Sequence, residues 1–144
     1  VLSNNFSLAD MIDPVWSGCV GTNDKYLNYL TDNKIMLFPW SSQARGFFTK
    51  KKEVTSNEHF SNPSLEEEIR VWHDEKNLKR REKCFEIAQS RNVQPIQVAL
   101  AYVIQKSPLI FPLIGPRTVM ETDSSIAAIQ LNLSKEEMNE LFIN

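Results

Sequence analysis

The sequence predicts an α/β fold built on parallel strands. Three observations carry this. Apolar runs of strand length, 35–38 and 109–114, alternate with segments whose apolar residues recur at helical spacing. Gly, Pro, Asn and Asp cluster at the junctions between them. The run 109–114 passes through Gly115-Pro116 straight into a helix start at Thr118. Strands that alternate with helices pair in parallel through right-handed crossovers.

The elements follow in order. Val1-Leu2 opens a short strand that gives way to the polar Ser3-Asn4-Asn5, and Asp13-Pro14 with Ser17-Gly18 marks a loop. Asp24 is the expected cap of a helix carrying Tyr26, Leu27, Tyr29 and Leu30, which Asn33 ends. Ile35-Met36-Leu37-Phe38 is continuously apolar, as a strand buried on both faces requires. Residues 49–63 are polar, include Lys50-Lys51-Lys52, and read as a mobile loop. Ser64 with Glu67 forms a capping box for a helix through Trp72, and a longer helix runs from about Leu78 to Ser90. Pro95 suits a helix start, after which Ile96, Ala99, Leu100, Val103 and Ile104 recur so that one face is buried. Gly115 allows a sharp turn and close approach of a ligand to the backbone. Thr118 with Glu121 is a capping box whose first-turn N–H groups suit an anion such as a phosphate, although such turns are often mere connections. Ser134 with Glu137 caps a last helix bearing Met138, Leu141 and Phe142. No internal repeat or low-complexity segment appears.

Composition narrows the class. The 144 residues suffice for one domain, 1–144, with a modest core. An apolar content of 42% and a charged content of 24% are ordinary for a soluble globular chain. A net charge of −2 argues against a general nucleic-acid binder. No apolar run reaches membrane-span length, and no signal segment opens the chain. Cys19 and Cys84 read as free thiols in a reducing compartment, which points to the cytoplasm. Val1 stands where a Met would open a chain, and it already lies in a strand-like run, as expected of a piece of something longer or equally of a processed or trimmed chain. The chain is also far short of the roughly 250 residues of a complete (β/α)8 barrel.

Five segments, in order, resemble the aldo-keto reductase family. Asn4-Asn5-Phe6-Ser7-Leu8-Ala9 resembles the end of its sixth barrel strand, and Trp40-Ser41-Ser42-Gln43-Ala44-Arg45-Gly46-Phe47-Phe48 the segment after the seventh. Arg70-Val71-Trp72 with Asn77 is similar to its Arg-x-Trp…Asn segment, and Val93-Gln94-Pro95-Ile96-Gln97-Val98-Ala99-Leu100-Ala101-Tyr102 to its penultimate helix. Gly115-Pro116-Arg117-Thr118 resembles the eighth strand's cofactor-binding loop. The resemblance implies a partial (β/α)8 TIM barrel: the last three βα units, about three parallel strands with flanking helices. The family's Asp, Tyr, Lys and His, which serve hydride transfer from NADPH to a carbonyl, fall in the earlier units. Lys25-Tyr26 and Tyr29 lie on a helix that matches the outer layer and do not supply them. The implied function is a C-terminal part of an NADP-dependent oxidoreductase with a cofactor half-site and no catalytic tetrad. The alternative is an inactive, self-associating interaction or nucleotide-binding module.

The resemblance also assigns the half-site. Trp40 matches the aromatic that stacks on the nicotinamide, a task suited to a planar ring, although closing a barrel mouth would also use it. Ser41 and Gln43 match the loop that holds the pyrophosphate, largely through backbone groups. Arg45 suits either a phosphate or a carboxylate within the protein. Gly115 and Arg117 belong to the last loop, where Arg117 matches a position near the adenosine 2′-phosphate; a guanidinium binds phosphate as a two-pronged fork. Ser124 and Ser125 replace the Glu-Asn pair that contacts adenine in many members. Ser3 stands where many members place a Gln against the carboxamide, and Gln94 where a Ser or Thr cap is common.

Other patterns are weaker. His59 and His73 show no metal-ligand spacing and read as surface residues, so no metal site is expected. Lys79-Arg80-Arg81 with Lys83 forms a basic patch; Glu66-Glu67-Glu68 and Glu82 offset it, which favours a solvated face over a nucleic-acid contact. Trp16 resembles a residue of the loop near the substrate mouth, where it walls the pocket or covers the sheet. Apolar strands with open edges predict a homo-oligomer, or a chain that supplies the missing barrel units.

Overall fold

In the computed structural model, residues 1–49 and 63–142 are described. The polar segment 49–63, its lysines and His59 lie almost wholly outside them.

Three extended segments run parallel. Residue 2 bridges to residue 37, and residue 37 bridges to residue 110. The hydrogen bonds alternate along the middle segment as a parallel arrangement demands. Leu2 N–H donates to Met36 O (2.8 Å), Phe38 N–H to Leu2 O (2.9 Å) and Trp40 N–H to Asn4 O (3.2 Å) on one edge. Leu37 N–H donates to Leu109 O (2.8 Å), Phe111 N–H to Leu37 O (2.8 Å) and Leu113 N–H to Pro39 O (2.9 Å) on the other. The expected three continuous strands are therefore corrected to isolated parallel bridges among the described residues. Pro39 supplies a physical reason on the side of the last segment, since it has no N–H to give Phe111 O. Burial on both faces is corrected as well. Leu37 and Ile110 are buried, whereas Met36, Phe111, Leu113 and Ile114 are exposed.

Helices connect the segments. α1 is Asp24–Asp32, capped by the Asn23 carboxamide rather than by Asp24; it buries Leu27 and Leu30 and exposes Tyr26 and Tyr29. A 3-10 turn, Ala44–Gly46, follows the middle segment. α2, Pro63–Trp72, begins at Pro63, and its Glu67 pairs with Arg45. α3, Glu75–Arg91, starts three residues earlier than expected because Asp74 caps it by accepting from Asn77 N–H (2.7 Å). α4, Pro95–Gln105, is buried continuously from Val98 to Val103, not on one face alone, because α3 and α5 both pack on it. α5 is Val119–Gln130 and α6 is Lys135–Leu141. Ser134 and Glu137 form the expected reciprocal cap of α6.

The core joins Leu8, Leu37, Phe47, Phe48, Val71, Trp72, Val98, Val103 and Leu141. The basic patch on α3 is split by helical period. Lys79 and Lys83 face out and pair with Glu75 (2.6 Å) and Glu86 (2.5 Å). Arg80 and Arg81 are buried, Arg80 against Asp10 and the Leu8 carbonyl (3.0 Å each) and Arg81 over the Phe47 ring. The reading of one solvated face is corrected for these two. His73 is likewise no surface residue: it packs edge-on against Phe47, with its Nε2 3.6 Å from Glu68. Among the described residues no helix is long and apolar enough to cross a membrane, and none of their His, Cys, Asp and Glu form a group able to hold a metal ion.

Candidate cofactor half-site

The middle segment ends at Trp40, and the backbone then turns repeatedly through left-handed conformations. Ser41 (φ 48), Ala44 (φ 46) and Arg45 (φ 50) all have positive φ, as does Gly46 (φ 95). Such conformations cost a non-glycine residue free energy and concentrate at functional sites. Two hydrogen bonds tie the loop down. The buried Ser42 hydroxyl donates to Leu113 O (2.8 Å), and the Gln43 amide reaches the Ser125 hydroxyl at 3.5 Å. Both tethers land on the last segment and α5, so the two loops that the sequence singles out are held together. Among the described residues, the backbone N–H groups of Ser41, Ser42 and Gln43 find no acceptor. Successive free N–H groups in a turn form an anion-binding concavity.

Each remaining site residue has a definite place. The Ser3 hydroxyl donates to Phe38 O (2.9 Å), binding the first two segments to each other. The Arg45 guanidinium pairs with the Glu67 carboxylate at 2.6 Å. Gly115 has no positive φ, and an added Cβ would meet nothing within 4 Å, so the expected sharp turn is not what glycine provides there. Thr118 caps α5 by accepting from Glu121 N–H (3.2 Å), but the Glu121 carboxylate accepts from Arg117 N–H (2.5 Å) rather than closing the box on Thr118. The Arg117 side chain is exposed and has no carboxylate partner among the described residues. The Ser124 hydroxyl donates to Gln94 Oε1 (2.9 Å), and the Ser125 hydroxyl to Glu121 O (2.9 Å). Gln94 is the cap of α4, its N–H donating to Gln97 Oε1 at 2.8 Å.

Sequence reasoning passed over a set of residues that hold the loop 10–16. Asn77 is fully buried; it accepts from Asp10 N–H (2.8 Å) and donates to Asp10 O (2.8 Å) and Trp72 O (2.9 Å). Arg70 bonds the Asp13 carboxylate, Pro14 O (2.7 Å) and Val15 O (3.3 Å). Ile12 N–H donates to Val71 O (2.9 Å). Burial raises the Asp10 carboxyl, but the bonds from Lys76 and Arg80 outweigh it and hold the group below its ordinary value. The clamped loop presents Trp16, whose ring centre lies 4.5 Å from that of Trp40 at an interplanar angle of 31°. Asn5, also buried, anchors the other side of this corner through its amide on Trp40 O (3.3 Å). The one signal in the sequence was the Arg-x-Trp…Asn spacing, which marked these residues without saying what they touch.

Residues 18–142 match the aldo/keto reductase family. The chain belongs to that family. It is 30% identical over 148 residues to norsolorinic acid reductase A of Aspergillus parasiticus, covering 98% of this chain and 36% of that protein. It is 33% identical over 105 residues to norsolorinic acid reductase of Aspergillus flavus, covering 73% of this chain and 25% of that one. A shorter match, 40% over 55 residues, covers 38% of the chain and 14% of an aryl-alcohol dehydrogenase of Pestalotiopsis microspora. The chain thus spans between a quarter and somewhat over a third of the curated relatives that it matches along most of its length. A solved thermostable aldo-keto reductase in complex with epalrestat superposes with a TM-score of 0.59 at 17% identity, over 96% of this chain and 37% of that one. That likeness gives this member of the family a TIM-barrel-like α/β fold.

Proposed function

We propose that this chain is the C-terminal part of an NADP-dependent aldo-keto reductase. In this reading it supplies the last three βα units and one side of the cofactor site, while the catalytic tetrad lies on units outside these residues. NADPH, when bound, supplies the hydride for reduction of an aldehyde, ketone or sugar-like carbonyl.

The observation that carries the reading is the loop after Trp40. Three successive N–H groups without an acceptor among the described residues, inside a left-handed turn, suit the pyrophosphate. The exposed Arg117 fork, on the loop tethered to this one, suits the 2′-phosphate. Gly115 leaves open space beside the backbone, and Ser124 offers its hydroxyl at the adenine position once it leaves Gln94, whereas Ser125 is buried and engaged by Gln43 and Glu121. Arg45 is a phosphate ligand in this reading only after leaving Glu67. The norsolorinic acid reductases and the aryl-alcohol dehydrogenase among the relatives favour an aromatic carbonyl compound or alcohol as substrate. The free Cys19 and Cys84 support a reducing, cytoplasmic setting.

A second reading has its own support. Phe111, Leu113, Ile114, Val119, Met120, Ile126 and Ile129 are exposed apolar side chains on the last segment and α5. Such a surface suits a self-associating module, or a partner that supplies the other barrel units. Titration of the chain with NADPH and NADH separates the readings. Binding that prefers NADPH supports the half-site; no binding at millimolar cofactor supports the interaction module.

A further inference from the structure

We infer that Trp16 and the nicotinamide ring compete for one face of Trp40, and that Arg70 is the positioning residue that holds Trp16 in place. The inference rests on the cofactor reading above and concerns how access to that site is controlled. The two indoles lie 4.5 Å apart, centre to centre. A ring inserted between them needs two stacking separations, about 7 Å. Trp16 and a stacked nicotinamide therefore cannot occupy that face together.

Trp16 is held by its loop rather than by its own burial. It is half exposed, and Trp40 is its one recorded ring contact among the described residues. The residues just before it are fixed by Arg70, which reaches Asp13, Pro14 O and Val15 O from the end of α2. Gly18, two residues after Trp16, has φ 83 and open space around it. The loop is thus anchored before Trp16 by Arg70 and closed after it by Cys19 N–H, which donates to Trp16 O (3.2 Å), so the half-exposed indole leaves Trp40 by turning about its own side-chain bonds while Asp10 stays on Asn77.

The test uses the 144-residue chain, NADP⁺, and 2′-phospho-ADP-ribose, which lacks the nicotinamide. Trp16→Ala should tighten NADP⁺ binding about 3- to 10-fold, the scale of one released aromatic pair, and leave 2′-phospho-ADP-ribose unchanged. Arg70→Ala should act in the same direction and diminish the near-ultraviolet circular dichroism of the indole pair; Arg70→Lys, which keeps the charge but not the fork, should fall between. NADP⁺ affinity that is unchanged or weaker in Trp16→Ala overturns the inference and leaves the cofactor reading standing. Equal tightening of both ligands also overturns it. Failure of every variant to bind either ligand at millimolar concentration overturns both.

Discussion

Asn77→Ala is the substitution whose cost the structure states most directly. The side chain is fully buried and makes three hydrogen bonds at 2.8–2.9 Å, to Asp10 N–H, Asp10 O and Trp72 O. Each such bond contributes about 1 kcal/mol net, and a buried group left without a partner costs about 1–3 kcal/mol. Asp10 is exposed, so water reaches its backbone and recovers part of that loss; Trp72 is wholly buried, but its carbonyl keeps the bond from Asp74 N–H (3.2 Å). The expected cost is about 2–4 kcal/mol, a large part of the 5–15 kcal/mol typical of a domain. Urea unfolding followed by far-ultraviolet circular dichroism measures it, with the midpoint lowered and the slope unchanged. Asn77→Asp keeps the acceptor for Asp10 N–H but loses both donations and buries a charge, so it should be no milder. A loss below about 0.5 kcal/mol, the scale of an ordinary surface substitution, would refute the reasoning, because the loop 10–16 would then not depend on this residue.

Other outcomes are expected together. The chain alone should not oxidise NADPH with a panel of aldehydes; turnover that follows the purified chain and survives Tyr26→Phe and Tyr29→Phe would show a reaction centre within it. Arg117→Ala should weaken NADPH binding by roughly 1.5–3 kcal/mol, the value of a charge-assisted bond, while NADH binding stays the same; equal affinity for the two cofactors in the unaltered chain argues against a 2′-phosphate contact. The Asp10 carboxyl is held below its ordinary value of 3.8 in the folded state, so its contribution is present above that pH and lost as pH falls through the folded value. Asp10→Asn should accordingly reduce stability at neutral pH and flatten the acid side of the pH–stability curve. Light scattering at micromolar concentration should find an oligomer; a monodisperse, cooperatively unfolding monomer would count against association through the exposed last segment and α5.

Helices were the most legible part of the fold because their signals are local. Ser134 with Glu137, Asn33 and Pro95 lie within a turn of the ends that they set. Small errors came from neighbouring residues with equal capping ability: Asn23 took the place expected for Asp24, and Asp74 opened α3 early. The strand segments were legible as apolar runs, but their pairing is cut to bridges, on one side where Pro39 has no N–H to give. Longer-range facts left no local trace. Arg80 and Arg81 sit in a run that looks solvated, and Asp10 and Phe47, distant in sequence, bury them. At the site, the order of the motifs located the residues, while the partners of Ser3, Arg45 and Glu121 were set by the tertiary fold. The meeting of Trp16 with Trp40 depends on a loop fastened by Arg70 and Asn77, a contact that no spacing rule contains.

The two cysteines divide the molecule chemically. Cys84 is completely buried, its Sγ lies 3.1 Å from Pro95 O, and burial pushes its thiol far above the usual range. A thiol that neither ionises nor meets solvent does not react with alkylating reagents while the protein is folded. Cys19 is partly exposed and lies three residues beyond Trp16. A maleimide dye added to the folded chain should therefore attach at one position, on the loop that covers Trp40, with no cysteine removed. Opening of that loop becomes visible as quenching or energy transfer between dye and indole, and labelling of Cys84 in the same sample times the unfolding of the core.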